Sequence, residues 1–419
     1  MRLDVLKKSE FVKNVFTIAL GTSISQLLTI VSSPILTRLY SPADFGTYSL
    51  FVSISSILSV LTTGRYEYSI LVAENDEEAW NSVILITKIA VLFSFLVIIS
   101  GFSVYFLRSR YENFYLNFLW FTLLLAFSLL LNGFFQSFYF WFNRIRHYSK
   151  LAKNQIYGSI GVVLASIILG LARMKNSGLI LGLIFGQMIN TSLLFMSVKK
   201  SKKRFYMDWS NLKQHALKYK NYPKFLIISG FLDRISSQLH ILLFSSFFGK
   251  TITGYIGLYQ KVIRVPTNLI GTSIANVFRQ KASEHLYSFG ECKKLFLKTA
   301  STLFVIGIFP FLILLFFSPF LFEIIFGKQW IVAGEYSQIM SWMFLLGFIV
   351  SPLSSLIYIG QKQKYDLILQ MFLIISTSVS ILIGWHLKSV IIALILYTFS
   401  YCIKYFIEFV ISYKISIKG

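Results

Sequence analysis

Arg65, Asp233, Arg234, Lys261 and Arg264 are charged residues set inside otherwise apolar helical stretches. A charge near the middle of a membrane-spanning helix costs about 2.5–3.5 kcal/mol on insertion scales, so such residues face a partner or a polar cavity. Four cations against one acid imply a cavity of net positive charge, suited to an anionic ligand. Lys261 and Arg264 lie one turn apart, where like charges repel unless an anion sits between or beside them. Asp233 can neutralise one cation and leaves an excess. For Arg65 the alternative is snorkelling of its long side chain toward head groups. Arg65 and Glu67, in GRYEYSI, are two residues apart and on a helix would point to different faces, which predicts that they are not partners. Lys404 and Glu408, at i and i+4, predict a self-satisfied structural pair.

Polar residues recur around these charges at helical spacing. Ser229, Asp233, Ser237 and His240 share one face, with Arg234 and Gln238 in the adjacent row. Lys261, Arg264, Asn268, Thr272 and Asn276 form a stripe in steps of three and four. Thr22, Gln26, Thr29 and Ser33 do the same near the start of the chain. Two readings stay open for the hydroxyls and amides: they line a cavity, or they join helices by hydrogen bonds. His240 likewise is either a functional group or a hydrogen-bonded packing histidine.

Soluble-enzyme patterns are missing: the sequence has no GxSxG, P-loop, HExxH or CxxC, and its five histidines are scattered. Cys292 and Cys402 are too few and too far apart for a disulfide framework or metal cluster. No catalytic residue, metal or cofactor is therefore expected.

The elements that must position these residues follow from hydropathy. Of 419 residues 55% are hydrophobic and only 14% charged, with mean hydropathy +0.67. Apolar runs long enough to cross a bilayer, about 18 residues or more, fit twelve spans: 14–36, 44–71, 83–106, 114–142, 155–172, 179–198, 225–248, 253–278, 299–320, 334–359, 367–385 and 390–412. The net charge of +23 does not point to nucleic acid, because Lys and Arg cluster in short connections between apolar runs. That is the positive-inside pattern, with some attraction to anionic lipid heads. Arg144, Arg146, Lys150 and Lys153 in 143–154, and KKSKKR with Lys213, Lys218, Lys220 and Lys224 in 199–224, place those segments and both termini in the cytoplasm. The start, MRLDVLKKSEFVKN, leads into a long first helix with no small-residue cleavage site, which predicts an uncleaved span.

The expected fold is all-α: two six-helix lobes, 1–198 and 225–419, related as a parallel repeat. Segment 199–224 joins them, and its WSNLKQHALKYKNY reads as an interfacial amphipathic helix with Trp209, Leu212, Ala216 and Tyr219 on one face. Internal matches support the repeat. Gly46 in ADFGTYSLF pairs with Gly254 in TITGYIGLY (254 − 46, an offset of 208), and Tyr148 in NRIRHYSKL pairs with Tyr365 in GQKQKYDLI (365 − 148, an offset of 217). The first offset places Gln26 on Arg234 and Thr29 on Ser237.

From Gly21 to Ala79 the chain resembles the O-antigen translocase (Wzx-like) group of polysaccharide-unit flippases, within the multidrug/oligosaccharidyl-lipid/polysaccharide exporter superfamily. The resemblance rests on SSPILTRLYSPADFG, on RYEYSI about twenty residues later, and on WFNRIRHYSKLAKNQ after the fourth span. It is dense over roughly the first 160 residues and thin beyond. LVAENDEEA departs from the group, which tends to have Pro and a basic residue before the acids. The resemblance implies two six-helix bundles in a V, with spans 1, 2, 7 and 8 around a cationic cavity. The implied cargo is an oligosaccharide on undecaprenyl diphosphate, moved from the inner to the outer leaflet of the bacterial cytoplasmic membrane. Arg65, Arg234, Lys261 and Arg264 would hold the diphosphate. Asp233, Glu67 and His240 would couple or gate, and Thr22, Gln26, Thr29, Asn268 and Thr272 would line the cavity. The SPADFG turn would be structural, braced by Arg38 and Asp44. Expected partners are the lipid-linked oligosaccharide, membrane lipids, and a polysaccharide polymerase and glycosyltransferases. The alternatives are a multidrug cation exporter of the same superfamily, whose cavity would be acidic, and a peptidoglycan lipid precursor flippase.

The charge asymmetry yields a topology test. A cysteine introduced within 199–224 is expected to resist an impermeant thiol reagent in intact cells, while one next to Lys328 is labelled. The opposite pattern would invert the topology and the direction of transport.

Overall fold

The computed structural model describes residues 2–107, 112–200 and 209–417, without the side chains of 2–16, 112–116, 176, 200, 209–211, 265, 266, 268 and 269. Arg108, Arg110 and most of KKSKKR, and the side chains of Trp209 and Asn268, lie outside this description. Among the described residues every regular element is helical. Eleven stretches are long and apolar enough to cross a membrane, so the chain is a multi-pass membrane protein. The expected span at 253–278 is helical too, but Gln260, Lys261 and Arg264 make it less apolar than the other eleven.

The chain divides into two compact units, Met1–Leu39 with Phe51–Ile235, and Tyr40–Leu50 with Ser236–Gly419. The first holds α1 (Arg2–Val31), α2 (Ser33–Leu39), most of α3 (Pro42–Thr62), α4 (Glu67–Val72), α5 (Asp76–Leu107), α6 (Glu112–Arg144), α7 (Tyr148–Leu171), α8 (Lys175–Lys200), α9 (Trp209–Lys218) and the start of α10 (Ile227–Phe248). Neighbours α5 and α6, and α7 and α8, pack as hairpins, with α1 against α7. Ile70, Val83, Ile86, Trp141 and Leu151 are among its buried core residues.

The second unit holds the rest of α10, α11 (Lys250–Tyr259), α12 (Val265–Phe289), α13 (Lys293–Phe326), α14 (Ile331–Leu353), α15 (Ser355–Ile359), α16 (Gln363–His386) and α17 (Val390–Ile417). Its core includes Phe244, Ile256, Tyr259 and Leu394, and Phe296, Leu303 and Leu353. Lys404 and Glu408 form the expected i,i+4 pair, both largely buried.

Two expected spans are broken where the charges sit. Span 44–71 stops at Thr62 because Gly64 (φ 56°) and Arg65 (φ 61°) turn left-handed in succession, after which α4 begins at Glu67. Glycine adopts that conformation freely, whereas arginine pays for it in strain. Span 253–278 is interrupted by a π-helical turn at Gln260–Arg264, so the continuous α-helical stripe through Lys261 and Arg264 does not hold there. Such turns insert one extra residue and recur at functional sites.

The repeat is visible in the backbone. Helices α3 and α11 begin at Pro42 and Lys250, again 208 apart. A Cβ added to Gly46 would lie 1.8 Å from the Lys250 carbonyl oxygen, and one added to Gly254 would lie 1.8 Å from that of Pro42. The two matched glycines therefore make one reciprocal contact inside the second unit. Before it, Ser41 and Asp44 cap each other: the Ser41 amide and hydroxyl donate to Asp44 Oδ2 at 2.8 and 2.7 Å, and the Asp44 amide donates to Ser41 Oγ at 3.3 Å. Asp44 thus braces the SPADFG turn as expected, whereas Arg38 Nη1 donates to the Pro34 carbonyl of its own helix at 2.8 Å.

The second sequence match needs a two-residue correction. Arg146 and Gln361 are left-handed, and so are Arg173 and Lys388; each pair is 215 apart (361 − 146 and 388 − 173). After each, an amide reaches back five residues: His147 to Phe142 at 2.9 Å, Lys362 to Ile357 at 2.8 Å, Met174 to Leu169 at 3.0 Å and Ser389 to Gly384 at 2.8 Å. This is the helix-ending arrangement with a left-handed residue. It pairs Tyr148 with Gln363 rather than with Tyr365, because the turn geometry and not the aromatic ring is what repeats.

Gly46→Ala is expected to cost about 1–3 kcal/mol, the usual range for forcing atoms into a packed contact. Gly271→Ala, whose Cβ would have its nearest neighbour at 3.9 Å, should be neutral or slightly stabilising. Thermal unfolding of the detergent-purified variants checks this, and equal midpoints would contradict the contact.

Candidate functional site

The first unit contains a polar cavity of about 190 Å³. Its lining includes Ser59, Thr63, Arg65, Glu67, Asn132, Gln136 and Arg234. The break after α3 aims Arg65 and Glu67 at each other, and Arg65 Nη1 lies 3.5 Å from Glu67 Oε1. The expectation that they are not partners is thus overturned, because it assumed one continuous helix. Glu67 is 5% exposed, so separating it from Arg65 would leave a charge in a dry site. Arg65 Nε and Glu67 Oε2 have no hydrogen-bond partner. These are spare donor and acceptor capacity at a strained residue, a combination that favours a functional site over a structural pair.

Arg65 lies against α10. A Cβ on Gly230 would come within 1.9 Å of Arg65 Nη2, so the glycine makes room for the guanidinium. One turn on, Arg234 is exposed and its Nη1 donates to Ser56 Oγ at 3.4 Å. The cavity therefore joins two arginines to one acid.

The second unit contains a cavity of about 230 Å³, lined by residues that include His240, Gln260, Arg264, Thr272, Ser351, Tyr397, Tyr401 and Tyr405. His240 is buried. Its Nε2 hydrogen-bonds Gln260, its ring stacks on Tyr397 at 5.5 Å between centroids, and its Nδ1 has no partner. Arg264 brings a cation into a lining that includes no acid.

The remaining candidates are placed differently. Asp233 is exposed and lines neither cavity, and Lys261, half-buried in the π-helical turn, lines neither. Thr22 donates to Gln155 Oε1 on α7 at 2.8 Å, and Thr29 donates to the Gln26 carbonyl at 2.8 Å. The first bond fits the helix-joining reading, whereas the second stays within α1 and joins nothing. Gln26 Oε1 is buried without a partner. The side chain of Asn268 lies outside the described residues.

Sequence reasoning passed over Asn132 and Gln136, and the tyrosines 397, 401 and 405. Each set repeats at i,i+4, so the signal was present. It was masked by 23 Tyr and 42 Phe elsewhere in the chain, most of which read as lipid-facing or interfacial residues.

Residues 35–335 match the family model described as "Polysaccharide biosynthesis protein". No curated protein sequence is significantly similar. Among solved structures, an inward-facing multidrug resistance MATE family transporter of the MOP superfamily is 12% identical, with 94% of each chain covered and a TM-score of 0.68. The lipid II flippase MurJ, in an inward closed conformation, is 14% identical over 95% of this chain and 89% of that chain, with a TM-score of 0.70. A MOP superfamily transporter from Pyrococcus furiosus, whose reverse binding-pocket polarity suggests a different function for it, is 13% identical over 97% and 95%, with a TM-score of 0.54. At these identities the likeness shows a shared fold.

Gly230→Ala is expected to displace Arg65 at the flexible end of its side chain, leaving stability within about 1 kcal/mol, because the clash is with a mobile tip. Activity should nevertheless fall about tenfold, the equivalent of one lost charge-assisted hydrogen bond. A cellular assay of surface polysaccharide, beside a melting curve, checks this. Intact activity would remove Arg65 from the site.

Proposed function

Because the chain belongs to the polysaccharide biosynthesis protein family, we propose that it flips undecaprenyl-diphosphate-linked oligosaccharide units from the inner to the outer leaflet of the bacterial cytoplasmic membrane. It would do so by alternating access, with both termini in the cytoplasm, as one of the O-antigen translocase group. The product would be a surface polysaccharide such as O-antigen or capsule. The observation that carries this reading is the charge of the two cavities: Arg65 and Arg234 against Glu67 in one, and Arg264 with no acid in the lining of the other. Fixed guanidinium groups match a diphosphate in geometry and charge. A multidrug cation exporter would need the opposite balance.

In this reading the work is desolvation rather than bond chemistry. A diphosphate carries about two negative charges, and each gains about 2.3 kcal/mol on moving outward through 100 mV with the interior negative. The remaining barrier is stripping water from phosphate and sugar, which Arg65, Arg234, Lys261 and Arg264 offset by replacing it. The half-buried Tyr401 and Tyr405 would supply faces on which sugar rings can rest, with Tyr397 buried behind them against His240. Glu67, through its pairing with Arg65, is the best-placed coupling group. His240 and Asp233 are the other two, and a polymerase and glycosyltransferases would act before and after the flip.

Arg65→Ala or Arg264→Ala should lower surface polysaccharide at least about tenfold, since losing a hydrogen bond to a charged group costs about 1.5–3 kcal/mol. Protein level should hold in Arg264→Ala and fall in Arg65→Ala, which strands the buried Glu67 charge, and Arg264→Lys should rescue partly, keeping the charge without the bidentate fork. Asp233→Asn with lost transport but retained binding of the lipid-linked oligosaccharide would assign Asp233 to coupling. Normal polymer in the double variant Lys261→Ala, Arg264→Ala would sink the proposal.

A further inference from the structure

Helix α9 lies outside the membrane spans, yet its contacts end at the turn that carries Arg65 and Glu67. Leu212 and His215 are buried and Lys213, Gln214 and Lys218 exposed, so its apolar face is taken up by protein.

A line of hydrogen bonds leaves this face. Ser69 Oγ donates to the Tyr66 carbonyl at 2.7 Å. Ser69 and Ser82 share a hydrogen bond at 2.7 Å, and Ser82 Oγ meets His215 Nε2 at 2.7 Å. Each hydroxyl has one proton. Ser69 spends its own on Tyr66 and accepts from Ser82; Ser82 then has none left and accepts from His215. The tautomer assigned in this way carries its proton on Nε2. The line is one-directional, from the imidazole on α9 to the peptide between Tyr66 and Glu67. The same tyrosine is held from its other end, where Tyr66 OH donates to the Ala216 carbonyl at 3.2 Å. Helix α9 therefore holds Tyr66 directly by its hydroxyl and, through Ser82 and Ser69, indirectly by its carbonyl.

Charged groups complete the dock. Lys218 Nζ donates to Glu78 Oε1 at 2.6 Å and to Glu74 Oε1 at 3.2 Å, and Tyr219 OH donates to Glu78 Oε1 at 3.1 Å. Arg144 Nη1 donates to the carbonyls of Ile70 and Ala73, both at 2.9 Å, which holds the far end of α4.

We propose that His215 is a positioning residue, and that docked α9 holds the Arg65–Glu67 turn in its diphosphate-binding geometry. Protonation at Nδ1 would leave the Nε2–Ser82 bond in place but put a charge in a site where His215 is 6% exposed, and that desolvation cost would release the helix and relax the turn. The diphosphate part rests on the function proposed above; the docking part does not. Burial pulls His215 below the ordinary histidine value, outweighing the upward pull of Glu78, and Lys218 adds to the lowering. The sign follows: docking is complete above the ordinary value of about 6.5 and is lost as pH falls through the lowered one. Glu74, Glu78, Lys218, Tyr66 and Tyr219 are the other titratable groups facing this contact.

The test uses the full-length protein in detergent with Cys292→Ser and Cys402→Ser, carrying Leu212→Cys as the reporter. Labelling by an impermeant thiol reagent, with rates corrected for thiolate content, should be slow at pH 7.5 and at least tenfold faster at pH 5. His215→Gln, which keeps a donor and cannot titrate, should abolish that acid step. Ser82→Ala should speed labelling at both pH values. An acid step that persists unchanged in His215→Gln, or no acid step at all, overturns the docking role. A parallel titration with inorganic pyrophosphate reads the site: binding should fall more steeply with pH in the parent than in His215→Gln. Identical pH profiles, with α9 release intact, would overturn the positioning role. Failure of both proteins to bind pyrophosphate at pH 7.5 would count against diphosphate binding, leaving the docking result to stand on its own.

Discussion

Glu67 sits in an almost dry site, and the ion pair with Arg65 is the contact that makes its burial tolerable. A buried charge without a partner costs several kcal/mol, so the pair must be held together for the fold to persist. What surrounds it follows from that constraint. Four residues, 63–66, separate α3 from α4, because no continuous helix would let residues 65 and 67 meet. The left-handed backbone at Gly64 and Arg65 makes the reversal, and Gly230 leaves the space the guanidinium fills. Arg144 and α9 fix the short helix that carries Glu67.

The second unit handles its cation differently, for Arg264 is exposed. Arg264 stands at the end of a π-helical turn beside a buried histidine and three tyrosines. With no acid in that lining, its charge stays available to a ligand. One unit thus holds a cation against an acid, and the other holds one with no acid among the described residues of its lining.

How much of this was legible in the sequence depends on the physical signal each feature leaves. Long helices leave a hydropathy signal, and the all-α membrane fold followed from it. The repeat left a glycine match at 208, which is also a packing contact. The second match was two residues off because the ring of Tyr148 was easier to see than a left-handed turn at Arg146, which has no side-chain signature. The break at 62–66 was illegible for the same reason: it contains no proline, and Arg144 holds the helix that follows from across the unit; the turn at 260–264 did have a signal, Pro266, which has no amide proton to continue an α-helix. His215 was passed over among five scattered histidines, since its importance comes from Ser69 and Ser82, more than a hundred residues away in the chain.

In the function proposed above, Arg65, Arg234 and Arg264 serve an anionic lipid. The most direct measurement is equilibrium binding to the purified protein, with undecaprenyl-diphosphate oligosaccharide and a lipophilic cation such as rhodamine 6G titrated in parallel. The diphosphate lipid should bind and weaken at least tenfold in Arg264→Ala, with the cation showing no saturable binding. Saturable cation binding, with no affinity for the diphosphate lipid, would contradict the account.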